Sequence, residues 1–135
     1  MFAIKTIMTT EVVSLHSGTP IYEALDLLTR HQVSGIPVLN DNDNVIGVLS
    51  EKDVLRILVD DHLDVKKTVD DYMSRNVICF KEEDSAIDVC KFFIHSNIRR
   101  VPIVRDSKLV GVVSRADIIP LILEAKNKIS DFRYV

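Results

Sequence analysis

Gly47-Val48-Leu49-Ser50-Glu51-Lys52-Asp53 and Gly111-Val112-Val113-Ser114-Arg115-Ala116-Asp117 share one pattern, Gly-apolar-apolar-Ser-x-x-Asp, at an offset of 64 residues. Upstream of both, the correspondence continues at an offset of 65, with Met8 matching Met73, Val12 matching Val77 and Pro37 matching Pro102. The one-residue difference falls between Asn40-Asp41-Asn42-Asp43-Asn44 and Arg105-Asp106-Ser107-Lys108. These are polar turn formers between apolar runs, the pattern of a hairpin, where a deletion is readily accommodated. The chain is therefore an internal duplication, and its fold is that of the repeat.

Each copy opens with a short β-branched run, Val12-Val13-Ser14-Leu15 or Val77-Ile78-Cys79-Phe80. Helix starts follow at Thr19-Pro20 and Asp84-Ser85, residue types suited to a cap and a first turn. Ile21, Ala24, Leu25 and Leu28 then recur at helical spacing, as do Ala86, Val89, Cys90 and Phe93, so one face of each helix is expected in the core. Residues 36–39, 45–49, 101–104 and 109–113 are nearly apolar throughout, as strands covered on both faces are. A last helix begins at Ser50 or Ser114, with Val54, Leu55, Leu58 and Ile118, Leu121, Ile122 as its expected buried stripe. The pattern predicts an α/β (α+β) fold of two β-α-β-β-α repeats related by pseudo-two-fold symmetry. Repeat 1 covers residues 1–65, repeat 2 residues 66–127, and a C-terminal tail residues 128–135. A unit this small leaves its sheet uncovered, so the two copies are expected to pack as one module with a shared core.

Bulk properties narrow the function. With 47% hydrophobic residues in 135, the chain has enough apolar side chains for a folded core. No apolar run approaches the length of a membrane span, and the first residues lack the pattern of a secretory signal, so a cytoplasmic location is expected. A net charge of −3 offers no general attraction to nucleic acid or anionic lipid, so any anion site must be local. Cys79 and Cys90 make no Cys-x-x-Cys motif and read as reduced core residues, and His16, His31, His62 and His95 lack ligand spacing, so no metal site is expected. No nucleophile motif or phosphate-binding glycine loop occurs, and Glu82, Glu83 and Asp84 suit a helix start rather than paired catalytic acids.

The chemistry then rests on two features. Ser-x-x-Asp at the first turn of a helix is a capping-box pattern, and both copies carry it after a glycine-bearing strand. The serine hydroxyl can serve the cap and still donate to a sugar or phosphate, at a helix end that favours anions. An aspartate there suits a ribose diol. The glycine fits either a close approach of ligand or backbone, or a bulge. Arg99-Arg100, just before an apolar strand, stand where the first copy has Ser34-Gly35. Two guanidinium groups at a strand start suit a phosphate, and their absence from the other copy implies two inequivalent clefts.

With the paired Gly-apolar-apolar-Ser-x-x-Asp ends, Ser34-Gly35-Ile36-Pro37-Val38 and Arg99-Arg100-Val101-Pro102-Ile103, and Ile7-Met8 with Tyr72-Met73, residues 1–125 resemble a tandem pair of CBS domains, a Bateman module. The resemblance implies a stand-alone, non-enzymatic sensor that binds AMP, ADP, ATP or S-adenosylmethionine, with NAD also possible, in clefts between the repeats. In such modules the aspartate holds the ribose and the serine lies beside it. The clefts are usually crossed, which groups Ser50 and Asp53 with Ile78, Arg99 and Arg100, and Ser114 and Asp117 with Val13, Ser34 and Gly35. Lacking arginines, the Asp117 cleft is expected to take a neutral or cationic adenosyl ligand or none. The resemblance further implies a homodimer through helices such as residues 118–123, an unidentified regulated partner, and no required cofactor. The competing expectation is a constitutive interaction or oligomerisation module in which Ser-x-x-Asp only caps helices.

Overall fold

The computed structural model describes residues 2–60, 64 and 66–133. In chain order these form β1 (Leu15–His16), α1 (Ile21–His31), β2 (Gly35–Leu39), β3 (Val45–Ser50), α2 (Glu51–Asp60), β4 (Phe80–Lys81), α3 (Ala86–Ile94), β5 (Arg100–Arg105), β6 (Lys108–Ser114) and α4 (Arg115–Arg133). Short 3₁₀ turns at Ile4–Thr6 and Val69–Asp71 precede the two β-α-β-β-α series. Residues 61–63 and 65, His62 among them, lie outside the described residues.

The strands form two three-stranded sheets, ordered β1-β2-β3 and β4-β5-β6. In each, a very short first strand runs parallel to the second: Leu15 and His16 pair with Val38 and Leu39, and Phe80 and Lys81 pair with Ile103 and Val104. The sequence predicts first strands four residues long, from Val12 and Val77; the structure leaves Val12-Val13-Ser14 and Val77-Ile78-Cys79 outside them. Pro37 and Pro102 supply the reason. A proline has no N–H for a ladder, so the first strand pairs only with residues beyond it.

The structure divides into two compact units that are not the two sequence repeats. One contains residues 12–78 with 106–109; the other contains the remaining described residues. The opening segment of each repeat thus packs with the body of the other repeat. In the first unit, Pro20 bridges Thr68, and the Ile21 amide donates to the Lys67 carbonyl at 3.0 Å. In the second, Ala3 bridges Ser85, and the Ala86 amide donates to the Phe2 carbonyl at 2.7 Å. These borrowed carbonyls take the first amides of α1 and α3, which have no partner within their helices. Thr19, expected to cap α1, instead donates its hydroxyl to the His16 carbonyl at 2.7 Å, and α3 is capped not by the expected Asp84 but by the next residue, Ser85, which accepts from the Ile87 amide at 3.2 Å.

Each unit has its own cluster of buried apolar side chains. The first gathers Ile21, Ala24 and Leu28 of α1 against Ile36, Val38 and Leu49 of the sheet, with Val69 and Met73 from the opening segment of repeat 2. The second gathers Val89 and Phe93 of α3 against Val101, Ile103 and Val113, with Ile4 from the start of the chain. The expected stripes of α1 and α3 are largely buried, with Leu25 and Cys90 at their margins. The stripes of α2 and α4 are only partly as expected. Ile57 and Ile118 are buried, but Leu55 and Leu58 are 65% and 80% exposed, and Ile122 is 63% exposed. Apolar residues cover more of each helix than one buried face accommodates, so spacing alone did not identify the inward side. α4 also continues as helix through Arg133, where a tail was expected from residue 128. Cys79 and Cys90 are free and only partly buried.

Candidate functional site

Both Ser-x-x-Asp elements sit at the junction of the last strand and the last helix of their repeat, and both close a capping box. In the first unit the Ser50 amide donates to Asp53 Oδ2 at 2.9 Å, and the Asp53 amide donates to Ser50 Oγ at 3.2 Å. In the second, the Ser114 amide donates to Asp117 Oδ2 at 2.7 Å, and the Asp117 amide donates to Ser114 Oγ at 3.3 Å. The same oxygen, Oδ2, serves the cap each time. Among the described residues no group donates to Oδ1 of either aspartate, although both carboxylates are part-buried. The cap therefore orients a rigid carboxylate with one acceptor oxygen left for another donor. Ser50 differs from Ser114 in one respect: its hydroxyl donates back to Asp53 Oδ2 at 2.9 Å.

The strand starts lie directly beside these elements. Gly35 pairs with Ser50 across β2 and β3, and the Glu51 amide donates to the Ser34 carbonyl at 3.0 Å. In the second unit the Arg115 amide donates to the Arg99 carbonyl at 3.1 Å. The first unit thus gathers Ser34, Gly35, Ser50 and Asp53; the second gathers Arg99, Arg100, Ser114 and Asp117. Within a repeat, then, the observed neighbour of each Ser-x-x-Asp is that repeat's own strand start. Val13 packs partly buried against the first core, while Ile78 is 47% exposed. Arg99 and Arg100 are exposed, and among the described residues neither is in an ion pair.

The repeated glycines are explained by close backbone approach. A Cβ on Gly47 would stand 2.6 Å from the sulfur of Met73 and 3.0 Å from the Ser74 carbonyl oxygen. On Gly111 it would stand 2.7 Å from the sulfur of Met8 and 3.0 Å from the Thr9 carbonyl oxygen. Paired backbone bridges hold these segments in place, Val48 to Ser74 and Val112 to Thr9. The β2–β3 register also shifts between Val38 and Leu39, so the bulge expected as an alternative is present beside Gly47 as well.

Two contacts had no counterpart in the sequence reading. Asp70 grips the turn that precedes α1: its carboxylate accepts from the Ser17 hydroxyl and from the Gly18 amide, each at 2.6 Å. Gly18 has φ of +84°, where a side chain would be strained. Burial opposes ionisation of Asp70, but these donors outweigh it and hold the carboxyl below its ordinary value. At the equivalent turn of the other unit, Glu82 instead pairs with the Arg105 guanidinium, which lowers its carboxyl in turn. The second unanticipated contact is Arg115, whose guanidinium donates to the Phe93 carbonyl at 3.0 Å and to the Ser96 carbonyl. Aligning the copies exposes the signal for it, since Arg115 stands where repeat 1 has Glu51.

No group of three or more His, Cys, Asp or Glu side chains suited to a metal occurs among the described residues. No described helix is long and apolar enough to cross a membrane. Burial raises both cysteine thiols above their usual range, which leaves them protonated and poorly nucleophilic.

The CBS domain family model matches twice, over residues 4–60 and 69–124. An uncharacterized protein of Methanocaldococcus jannaschii is 32% identical over 119 residues, which are 88% of this chain and 42% of that protein. An L-aspartate semialdehyde sulfurtransferase of the same organism is 29% identical over 116 residues, 85% of this chain and 22% of the relative. The chain thus spans less than half the length of either relative. Among solved structures, the CBS domain pair of protein MJ0100 in complex with 5′-methylthioadenosine and S-adenosyl-L-methionine is 28% identical, with a TM-score of 0.76 over 91% of this chain and 97% of that one. CBSX2 in complex with AMP is 26% identical, with a TM-score of 0.81 over 93% and 99%. The two matched segments coincide with the duplicated β-α-β-β-α series, and so the chain belongs to the CBS domain family, of which it carries a tandem pair.

Proposed function

We propose that this CBS pair is a non-enzymatic sensor of adenosine-containing ligands. The observation that carries the reading is the half-used carboxylate: Asp53 and Asp117 each commit Oδ2 to the cap and present Oδ1 to a donor from outside, as a ribose hydroxyl would be. The ligands named for the similar pairs, AMP, 5′-methylthioadenosine and S-adenosyl-L-methionine, share that ribose. Asp53, beside Ser50, and Asp117, beside Ser114, are the ribose acceptors, and Arg99 and Arg100 are the phosphate donors. Ser34 and Gly35, at the equivalent strand start of repeat 1, bring no charge. A ligand addressed from that strand start is a neutral or cationic adenosyl group such as S-adenosylmethionine.

The test is a melting screen with AMP, ADP, ATP, NAD and S-adenosylmethionine. A ligand at 100 times its dissociation constant adds about 2.7 kcal/mol of stability. Flat curves across the panel would sink the reading for these ligands. A second reading, a constitutive interaction module, draws on the exposed apolar faces. Leu55, Leu58 and Val59 of α2 are 65–82% exposed, and Ile119, Ile122 and Leu123 of α4 are 56–63% exposed. In the proposed sensor these faces meet a second copy of the chain, giving a closed two-fold dimer. Sedimentation of the ligand-free protein checks this, and a monomer at all concentrations would remove it. A cytoplasmic setting fits the same proposal.

A further inference from the structure

The segment between α3 and β5 is fastened from one direction. α3 ends at Ile94, and the last carbonyls of a helix have no partner within it. Arg115 reaches them from the start of α4. Its guanidinium donates to the carbonyls of Phe93 and Ser96 and lies 5.9 Å from the centroid of the Phe93 ring, while its backbone amide holds the Arg99 carbonyl at 3.1 Å. Ser96 folds the intervening turn with its own side chain, accepting from the Ile98 amide at 2.9 Å. One residue therefore fixes three carbonyls across Phe93–Arg99, and a cation at a helix C-terminus is also favoured by the helix dipole.

Repeat 1 does this differently. α1 ends on Gln32 in the left-handed conformation, with φ of +51°, and the residue at the position of Arg115 is Glu51. A carboxylate cannot donate to carbonyls, so only the backbone bond from Glu51 to Ser34 remains. The repeat that fastens its strand start with an arginine is the repeat whose strand start carries two arginines.

We infer that Arg115 is a positioning residue for Arg99 and Arg100, fixing the backbone from which they address a phosphate. The inference rests on the sensor reading above and deepens it. Both side-chain bonds come from one guanidinium nitrogen, Nη2, whose N–H directions are fixed by the planar group, whereas a lysine ammonium would offer the same carbonyls only freely rotating donors and so fasten the segment less rigidly. Loss of the fastening leaves Arg99 and Arg100 present but spreads them over more backbone conformations, which weakens phosphate recognition and leaves adenosine recognition alone.

The experiment compares the unaltered protein with Arg115→Ala and Arg115→Lys. Titration calorimetry gives the affinities for AMP and for adenosine, and hydrogen exchange follows the amides of residues 96–100 without ligand. In both variants AMP binding should weaken about tenfold, the scale of one charge-assisted hydrogen bond. Adenosine binding should stay unchanged, and exchange at 96–100 should accelerate. Unchanged AMP affinity in Arg115→Lys would show that charge alone matters and overturn the inference. Equal losses for AMP and adenosine would overturn it too, by marking a general structural role. If Arg115→Ala does not fold, Arg115→Lys decides on the same readouts. If the unaltered protein binds neither ligand, the sensor reading fails, and exchange at 96–100 separately decides whether Arg115 fastens the segment.

Discussion

Repeat 1 and repeat 2 place the same elements in the same order, yet they fill equivalent positions with opposite chemistry. Ser34-Gly35 faces its helix start with no charge where Arg99-Arg100 brings two. Glu51 stands where Arg115 caps α3. Asp70 holds the Ser17-Gly18 turn, whereas the equivalent turn beside Glu82 is held by Arg105. What does not vary is equally informative: the capping boxes, the glycines under Met73 and Met8, and the buried faces of α1 and α3. The invariant set makes the fold, so the variable set is free to distinguish what each repeat recognises.

The largest expected effects test the shared part. Ile36→Ala and Ile103→Ala each empty a fully buried site on the second strand of a repeat, one in each of the two equivalent cores. Each should cost about 2–5 kcal/mol in chemical denaturation, and a much smaller loss at one site would break the equivalence. Gly47→Val and Gly111→Val drive a branched side chain into Met73 and Met8 and their backbones. Each should cost about 1–3 kcal/mol. Combining Gly47→Ala with Met73→Ala should recover part of the loss of Gly47→Ala alone, whereas strict additivity would mean that the methionine is not the obstacle.

Smaller effects probe the differences. The carboxyl of Asp70 ionises below its ordinary value of 3.8 in the folded protein, so its contribution is complete above that value and fades as pH falls through the folded value. Thermal melts from pH 6 down to about pH 3 should therefore show Asp70→Asn less stable than the unaltered protein at the upper end and converging with it at the lower. A gap that persists to the lowest pH would assign the contact to packing rather than charge. Smallest of all, Ser114→Ala should cost about 1 kcal/mol, as for other serine caps. Ser50→Ala should cost slightly more, because Ser50 makes the additional bond to Asp53.

Much of this architecture was legible in the chain itself. The duplication, the hairpins at Asn40–Asn44 and Arg105–Lys108, and the α1 and α3 stripes all follow from spacing and turn chemistry, which are local properties. The Ser-x-x-Asp capping boxes formed in both copies for the same reason. What spacing could not show was which face of α2 and α4 turns inward, since Leu55, Ile57 and Leu58 are all apolar and only packing selects Ile57. Nor could it show that residues 66–78 pack with the body of repeat 1, because that contact joins segments far apart in sequence. The glycines illustrate the boundary well. Their recurrence showed that something approaches closely, but only the fold identified the methionines.

In the proposed sensor the two structurally equivalent repeats provide unequal ligand chemistry, with the phosphate directed to Arg99 and Arg100. Titration calorimetry of AMP and adenosine into the unaltered protein and the Arg99→Ala/Arg100→Ala double variant addresses it directly. The double variant should weaken AMP binding by about tenfold or more, the scale for losing a charged donor, while adenosine affinity should stay close to that of the unaltered protein. Unchanged AMP affinity would contradict the account, as would equal losses for both ligands.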